Sequence, residues 1–292
     1  MHTHMADALK TPDDKRKACA DLAATMRRWI IEQSLDSHVG HIGSALSIVD
    51  IVSVLWEGTM QNPGTELPDR DRFILSKGHA ALALYCALRW KKILSEDVFN
   101  TYCKNGSMLG VHPEWELKGV DLSTGSLGQG LSVACGLAYG LRQKKSPARI
   151  YVLLSDAECN EGQVWEAAMF GAHHRLANLT AIVDLNGLQA LGCTRDILNI
   201  ADIGGLWKAL GWRVIEADGH DQDALLAALN GSDDVAEPTV ILAKTMLGKG
   251  VSFMENRLEW HYMNISSELA KRALAELNSS STSALQTGGD KE

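Results

Sequence analysis

Short apolar runs alternate with longer segments of helical periodicity along most of this chain. In the first helical segment, residues 19–34, apolar side chains such as Leu22, Met26 and Ile30 recur at the spacing of one helix face. Similar helical patterns separate five short apolar runs, at residues 73–75, 150–154, 181–183, 212–215 and 240–243. Strands that are apolar throughout are typical of a parallel sheet covered on both sides. The pattern therefore predicts an α/β fold, a parallel sheet flanked by helices on both faces.

Polar side chains follow two of these predicted strands. Asp156 comes after the run at 150–154, and Asn186 comes after the run at 181–183. Ligands of parallel sheets bind at the carboxyl ends of the strands, and carboxylate and amide oxygens suit Mg²⁺, which is usually shared with phosphate groups. Asp and Asn are also common as turn formers and helix caps, so Asp156 alone leaves both interpretations open. Together the two residues predict a divalent-cation and diphosphate site, and hence a phosphorylated cofactor.

The composition narrows the class of protein. The 292 residues are 46% hydrophobic and 22% charged, which is ordinary for a globular domain. No apolar run approaches the ~20 residues needed to span a bilayer. The net charge of −8, with dispersed Lys and Arg residues, disfavours nucleic-acid binding. We therefore expect a soluble protein that binds neither nucleic acid nor membrane.

We expect a single folded domain over residues 16–275. Residues 1–15 are predicted to be flexible, and the polar segment 276–292 is predicted to be a disordered tail. The six cysteines form no Cys-x-x-Cys pair, and no signal segment precedes them, which favours reduced thiols in the cytoplasm. Cys159 lies next to the predicted metal turn, where a spacer role is favoured over that of a nucleophile.

Several segments together resemble the transketolase family. Residues 154–162 (LSDAECNEG), an amphipathic helix and residues 184–188 (DLNGL) are similar to its thiamine diphosphate motif. The other matching segments are 38–44 (HVGHIGS), 71–80 (DRFILSKGHA), 110–114 (GVHPE), 123–130 (STGSLGQG), 249–253 (KGVSF) and the pair Trp260 and His261. They occur in family order between about residues 20 and 265. The resemblance implies a thiamine-diphosphate-binding fold, with residues 16–275 as the diphosphate-binding domain.

The resemblance also implies a cofactor site. Mg²⁺, or another divalent cation, is expected to bind three groups, the side chains of Asp156 and Asn186 and the backbone carbonyl of Leu188. Thiamine diphosphate is expected to contact residues from four segments: His79, Gly125, Ser126, Leu127, Ala157, Asn186 and His261. Alanine stands at 157 where the family has glycine, and Ile42 stands where it has proline. If position 157 needs a positive φ, alanine would be strained there.

Three histidines are expected to act on the sugar: His41, His112 and His261. Histidine suits this role because its unperturbed pKa lies near neutrality, so the ring can donate to one hydroxyl and accept from another. In the family, glutamates at the positions of Glu161 and Glu166 lie towards the subunit interface and are thought to couple paired sites. The simpler alternative is that Glu161 complements a helix dipole and Glu166 faces solvent.

Nothing after residue 265 resembles the pyrimidine-binding domain that supplies the family's activating glutamate. We therefore expect the N-terminal subunit of a two-chain transketolase, inactive without a C-terminal partner subunit, in a heterotetramer. The implied reaction transfers a two-carbon ketol unit from a ketose to an aldose, either of which can be phosphorylated. The alternatives are a diphosphate-anchoring subunit of another thiamine enzyme, such as a 2-oxo acid dehydrogenase or a deoxyxylulose-phosphate synthase-like protein, or a non-catalytic module that retains the fold.

Overall fold

The computed structural model describes residues 11–231 and 236–286. Its strands are β1 (Arg72–Leu75), β2 (Ile150–Ser155), β3 (Leu179–Leu185), β4 (Leu188–Gln189), β5 (Gly192–Cys193), β6 (Arg213–Asp218) and β7 (Thr239–Lys244). Five of them form one parallel sheet in the order β1-β2-β3-β7-β6, and β4 pairs with β5 as a small antiparallel ribbon. All five strands predicted from the apolar runs are present in the parallel sheet.

The helices occupy the connections between these strands. They are α1 (Pro12–Ser37), α2 (Ile42–Ser47), α3 (Val49–Ser53), α4 (Ala81–Trp90), α5 (Glu96–Phe99), α6 (Gln129–Gln143), α7 (Gly162–His173), α8 (Thr194–Ile197), α9 (Ile203–Ala209), α10 (Gln222–Asn230) and α11 (Ser267–Gln286). A π-helical segment covers Val54–Thr59, and short 3₁₀ helices cover Gly78–Ala80, Ala157–Asn160 and Leu258–His261. Among the described residues, none of these helices combines the length and apolar character needed to cross a membrane.

Alternation along each strand divides the core into two layers. In β2, Val152 and Leu154 pack on one side of the sheet, against residues of α6, α7 and α9. Tyr151 and Leu153 point to the other side, against residues of α1, α3, α4 and α10. Since both sides are covered, the central strands have no solvent face and consist almost entirely of apolar residues. The predicted fold class is confirmed.

Both ends of the folded region lie beyond their predicted positions. Helix α1 begins at Pro12, where the Thr11 hydroxyl accepts from the Asp14 amide at 3.1 Å and the Asp14 carboxylate accepts from the Thr11 amide at 3.0 Å. This capping box starts the helix before residue 16. Helix α11 continues past residue 275 to Gln286, with Leu277 buried in the core. The rest of the predicted flexible segments, residues 1–10 and 287–292, lies outside the described residues.

The topology brings four strand ends to one edge of the sheet. Since β1, β2, β3 and β7 are parallel neighbours, the residues that follow them stand side by side. These residues are Ser76 and Lys77 after β1, Asp156 after β2, Asn186 after β3 and Thr245 after β7. Three of them have charged or amide side chains, so polar side chains from three strand ends meet at this edge.

Candidate active site

A cleft of about 430 Å³ opens at this edge of the sheet. Its volume lies within the range of small-molecule and cofactor sites. Ten of the residues predicted from the sequence line it: His41, His79, His112, Gly125, Leu127, Ala157, Glu161, Asn186, Leu188 and His261. Asp156 lies immediately beside this lining, Ser126 is exposed in the turn before α6, and Glu166 is exposed on α7. Segments up to 220 residues apart in the sequence therefore meet in one cavity.

The turns after β2 and β3 are joined through Asp156. Its carboxylate accepts from the backbone amide of Gly187 at 2.7 Å and from that of Ala157 at 2.8 Å. In the second turn, the Asn186 side-chain oxygen accepts from the Leu188 amide at 3.0 Å. The three residues predicted to bind the metal are therefore parts of two turns in direct contact.

The electrostatics of this position favour a cation. Burial, together with the nearby charge of Asp184, raises the pKa of Asp156 to about 7. A carboxylate that is costly to ionise in the apo-protein gains from a positive charge placed beside it. The described part of the chain contains no cluster of three or more His, Cys, Asp or Glu side chains able to hold a metal. A cation here would thus depend on one carboxylate, neutral oxygens and a phosphorylated ligand, a donor set that fits Mg²⁺.

A buried ion pair lies behind the metal turns, and the sequence motifs did not reveal it. The Lys77 ammonium is 2.5 Å from the Asp184 carboxylate, and both side chains are essentially inaccessible to solvent. Asp184 also accepts hydrogen bonds from Ser47 at 2.8 Å, from Asn186 at 2.9 Å and from Thr245. Burial opposes ionisation of Asp184, but the charge and hydrogen bond of Lys77 lower its pKa overall. Asp184 therefore stays ionised inside the protein.

Three imidazoles form a histidine cluster: His41, His79 and His261. The ring centroids lie 5.2 Å apart for His41 and His79, 5.5 Å for His41 and His261, and 5.6 Å for His79 and His261. The backbone fixes the cluster, because the His41 amide donates to the His261 carbonyl at 3.1 Å. His41 itself has φ +66°, an uncommon conformation for a residue with a side chain.

The cluster is held in the neutral form. Burial lowers the pKa of all three histidines, and the charges of Lys77 and the neighbouring imidazoles lower it further, to about 4 for His261. The Nδ1 atoms of His41 and His261 are buried and make no hydrogen bond within the described chain. An unsatisfied buried polar atom is costly, so these two nitrogens are unfavourable features of the cluster.

The side of the cleft near α6 is formed by a glycine turn. The His112 ring lies against Gly125, where a Cβ atom would be 3.2 Å from the His112 Cδ2 atom. A Cβ at Gly78 would lie 2.8 Å from the backbone of Thr124, so this turn also packs tightly on the end of β1. Close backbone contacts of this kind require residues without side chains. They place Gly125 and Leu127 in the lining of the cleft.

Tyr262 is a cleft residue that the motifs missed. Its ring lies 5.1 Å from that of His41 and 4.9 Å from that of His261, and 60% of the residue is exposed. The Tyr262 carbonyl oxygen comes within 2.4 Å of the position of a Cβ on Gly40, so glycine is required for this approach. An exposed tyrosine has no periodicity or motif that could have indicated its place.

The expected strain at Ala157 is absent. Ala157 begins the 3₁₀ helix that follows β2, and it is not among the described residues with positive φ. The expectation failed because the turn after β2 uses an ordinary right-handed conformation, which a methyl group tolerates.

The remaining residues of the β2 turn have simpler environments. Cys159 is fully buried, and burial raises the pKa of its thiol well above the ordinary value, which suits a spacer and not a nucleophile. Glu161 is exposed and lines the cleft, whereas Glu166 is exposed on α7. The coupling role of these two glutamates stays a prediction.

Comparisons with known proteins agree with this arrangement. The family described as "Transketolase, thiamine diphosphate binding domain" matches residues 19–277. The 6-deoxy-6-sulfo-D-fructose transketolase subunit SqwG of Clostridium sp. (strain MSTE9) is 39% identical over 87% of this chain and 94% of that protein. An apulose-4-phosphate transketolase subunit from Phocaeicola vulgatus is 35% identical over 86% of this chain and 91% of its own length. The solved transketolase from Leishmania mexicana has a TM-score of 0.84 at 26% identity, over 89% of this chain and 41% of that one.

Fold, cleft and comparisons together define the class of protein, an α/β domain that binds thiamine diphosphate. The chain belongs to the transketolase family. The prediction from the sequence motifs is confirmed for the family and for the cofactor-binding domain. The chain spans nearly the full length of two relatives that are named as subunits, but about two fifths of the solved transketolase chain.

We expect Lys77→Met to lower the free energy of unfolding of the apo-protein by about 3–5 kcal/mol, because Asp184 would remain buried without its cation. Urea denaturation measures the change. The double variant Lys77→Met/Asp184→Asn removes both charges and should recover part of the loss. A loss below about 1 kcal/mol in the single variant, typical of surface pairs, would contradict a structural role for this pair.

The histidine cluster should make stability depend on pH. Each of its histidines has a folded-state pKa below the unfolded value, so the unfolded chain takes up protons that the folded chain rejects as the pH falls below ~6.5. We expect the contribution of the cluster to the unfolding free energy of the apo-protein to fall between pH 7.5 and pH 5, whereas the raised pKa of Asp156 acts in the opposite direction. His261→Gln should reduce this fall by about 1–3 kcal/mol in urea denaturation. If the unfolding free energy changed equally with pH in the variant and in the wild type, the contribution assigned to His261 would be disproved.

Proposed function

We propose that this chain is the thiamine-diphosphate-binding subunit of a two-chain transketolase, which transfers a two-carbon ketol unit from a ketose or its phosphate to an aldose or its phosphate. One observation carries the proposal: a single cleft is lined both by the interlocked turns after β2 and β3 and by four histidines. The first feature suits a metal-bound diphosphate, and the second suits the hydroxyl groups of a sugar. The match to the transketolase family supports the presence of both features in one site.

The cofactor end of the cleft is assigned to the strand-end turns. Mg²⁺ is proposed to bind Asp156, Asn186 and the Leu188 carbonyl, while Ala157 and Asn186 contact the diphosphate. Lys77, which also lines the cleft, lies behind these turns in its ion pair with Asp184. When bound, thiamine diphosphate would supply the ring that stabilises a carbanion.

Two further segments complete the proposed cofactor site. The turn formed by Gly125, Ser126 and Leu127 is placed beside the cofactor, and His79 and His261 are proposed to contact it. Gly125 and Leu127 line the cleft together with both histidines, which supports this assignment. Burial and the charge of Lys77 lower the pKa of His79 well below its ordinary value, so its ring is a neutral contact for a cofactor inserted between the segments.

The sugar end is assigned to His41, His112 and His261. Because the pKa values of His41 and His261 are lowered, both rings are neutral at neutral pH, with one nitrogen that donates and one that accepts. All three histidines line the cleft, where sugar hydroxyls could reach their rings. The same neutral imidazoles can relay a proton from hydroxyl to carbonyl oxygen without leaving a buried charge.

A partner subunit is proposed to cover the open side of the cleft. Large apolar side chains stand exposed on the loops that carry cleft residues: Leu191 is 77% exposed, Trp115 66% and Leu198 59%. The Asn160 side chain, in the cleft lining, donates to the Leu198 carbonyl at 3.1 Å, so this loop borders the cleft. Exposed apolar groups around a site are typical of an interface. A C-terminal transketolase subunit with the pyrimidine-binding domain fits this place.

A second exposed surface supports the proposed heterotetramer. Met169 and Phe170 on α7 are 51% and 42% exposed, and they lie one helical turn after Glu166. Contact between two copies there would place Glu161 and Glu166 near the symmetry axis, as their coupling role requires. None of the six cysteines, all within the described ranges, forms a disulfide, which agrees with the proposed cytoplasmic location.

Asp156→Ala should abolish Mg²⁺-dependent binding of thiamine diphosphate by the assembled complex, because the variant lacks the only carboxylate assigned to the metal. Isothermal titration calorimetry with and without EDTA measures this binding. Asp221→Ala is the matched control, since Asp221 also follows a strand and only caps α10, accepting from the amides of Asp223 and Ala224. If Asp156→Ala bound the cofactor as tightly as Asp221→Ala, Asp156 would be a turn former only.

The two-chain assembly is tested by purifying the tagged chain from its own host with Mg²⁺ and thiamine diphosphate present. Native mass spectrometry should show a second polypeptide and bound cofactor, and only the complex should transfer ketol units. Turnover by this chain alone at ~10 s⁻¹, an ordinary enzymatic rate, would contradict the two-chain proposal. A cofactor-free assembly without activity would instead favour the non-catalytic module.

A further inference from the structure

Glu158 is a buried carboxylate with no part in the site described so far. It lies in the 3₁₀ helix after β2 and is completely inaccessible to solvent. Its carboxylate accepts three hydrogen bonds, from the Ser76 hydroxyl at 2.5 Å, the Gly128 amide at 2.8 Å and the Ser155 amide at 3.2 Å. Burying a carboxylate is costly unless its oxygens are satisfied, so these three donors explain how the group is tolerated.

The three donors come from three different segments, and each segment carries residues assigned to the cofactor. Ser76 directly precedes Lys77 in the turn after β1, and Ser155 directly precedes Asp156. Gly128 ends the glycine turn that begins at Gly125. A single side chain therefore joins the cofactor turns after β1 and β2 to the turn before α6. Two of these turns are about 80 and 30 residues from Glu158 in the sequence.

The contact with Gly128 lies at the start of a helix. Gly128 is the N-cap residue of α6 and has φ +87°. Glu158 accepts from the amide of Gly128 itself and places a carboxylate at the positive end of the helix dipole. A Cβ at Gly128 would lie 2.7 Å from the Cβ of Glu161, so the start of α6 packs closely against the turn after β2. The position of the glycine turn is thus set by Glu158.

A carboxylate is particularly suited to this position. It has two oxygens with about four acceptor sites and no hydrogen of its own, so it can serve three donors at once. Glutamine has the same shape, but its NH₂ group would face either the Ser155 amide or the Ser76 and Gly128 donors, which share the other oxygen. The amide for carboxylate exchange therefore weakens the bridge, because it removes the charge and leaves at least one buried donor without an acceptor, while it keeps the volume of the side chain.

We propose that Glu158 is a positioning residue for the cofactor: it holds the turns that carry Lys77, Gly125 and Asp156 at the spacing that thiamine diphosphate requires. This inference rests on the proposed cofactor site. It assigns Glu158 no contact with cofactor or sugar. The effect of its loss should therefore appear in cofactor affinity, while the sugar-binding histidines keep their own contacts.

The test compares Glu158→Gln with wild type in the assembled complex. Titration calorimetry at saturating Mg²⁺, well below the melting temperature, gives the Kd of thiamine diphosphate, and circular dichroism confirms the fold. We expect the Kd to rise at least tenfold, which corresponds to about 1.4 kcal/mol. At saturating cofactor, the KM for the donor sugar should stay within about twofold, a difference worth less than 0.5 kcal/mol.

Two further variants separate positioning from general stability. Leu225→Ala, on the buried side of α10, is expected to lower the melting temperature but to leave the Kd unchanged, because it creates a cavity in the core and removes none of the contacts of Glu158. Ser76→Ala removes one of the three hydrogen bonds and should raise the Kd by a smaller factor, about threefold. It serves as the deciding variant if Glu158→Gln does not fold.

The outcomes distinguish this inference from the proposed function. A Kd within twofold of wild type in Glu158→Gln, or in Ser76→Ala if that variant decides, would overturn the positioning role alone. A rise in Kd that Leu225→Ala reproduces would also overturn it, because the effect would then be one of stability. Failure of the wild-type complex to bind thiamine diphosphate would overturn both proposals. Only a rise confined to the variants of the Glu158 cluster supports the positioning role.

Discussion

The ion pair between Lys77 and Asp184 is the interaction on which the arrangement of the site depends. Asp184 stands near the end of β3, and its carboxylate also binds Ser47, Asn186 and Thr245. One buried charge therefore contacts the end of β1, the helix α2 and the turns after β3 and β7. A buried pair is costly to form but more costly to break, so these segments keep their relative positions even without a ligand.

The site gathers several unfavourable features in one cleft. Asp156 is difficult to ionise, two imidazole Nδ1 atoms lack partners, and His41 adopts a left-handed conformation. The two apolar layers on either side of the sheet supply the stability that allows this concentration of polar groups. A cation beside Asp156 would relieve the first of these features. This pattern is expected of a binding site in its unliganded form.

Much of the fold and of the site was predictable, because strong local patterns carried the information. Buried parallel strands need apolar runs, and all five runs became strands of the sheet. Glycine turns beside histidines indicated the cleft, and ten predicted residues line it. The predicted domain ends, residues 16 and 275, differ from the helix ends in the structure, because a capping box starts α1 at Pro12 and α11 continues to Gln286. The expected strain at Ala157 was wrong because it depended on a φ angle that composition does not indicate.

The sequence by itself determined the class of fold, the family and the residue types that line the cleft, because these follow from periodicity and from short motifs. Only the tertiary structure decided which charges meet. Lys77 and Asp184 are 107 residues apart, and Glu158 is 82 residues from Ser76. Neither pairing can be recognised from the neighbouring residues in the sequence, because the order of the strands determines which buried groups come together. The lowered pKa values of the histidine cluster have the same origin, because burial and neighbouring charges exist only after the chain has folded.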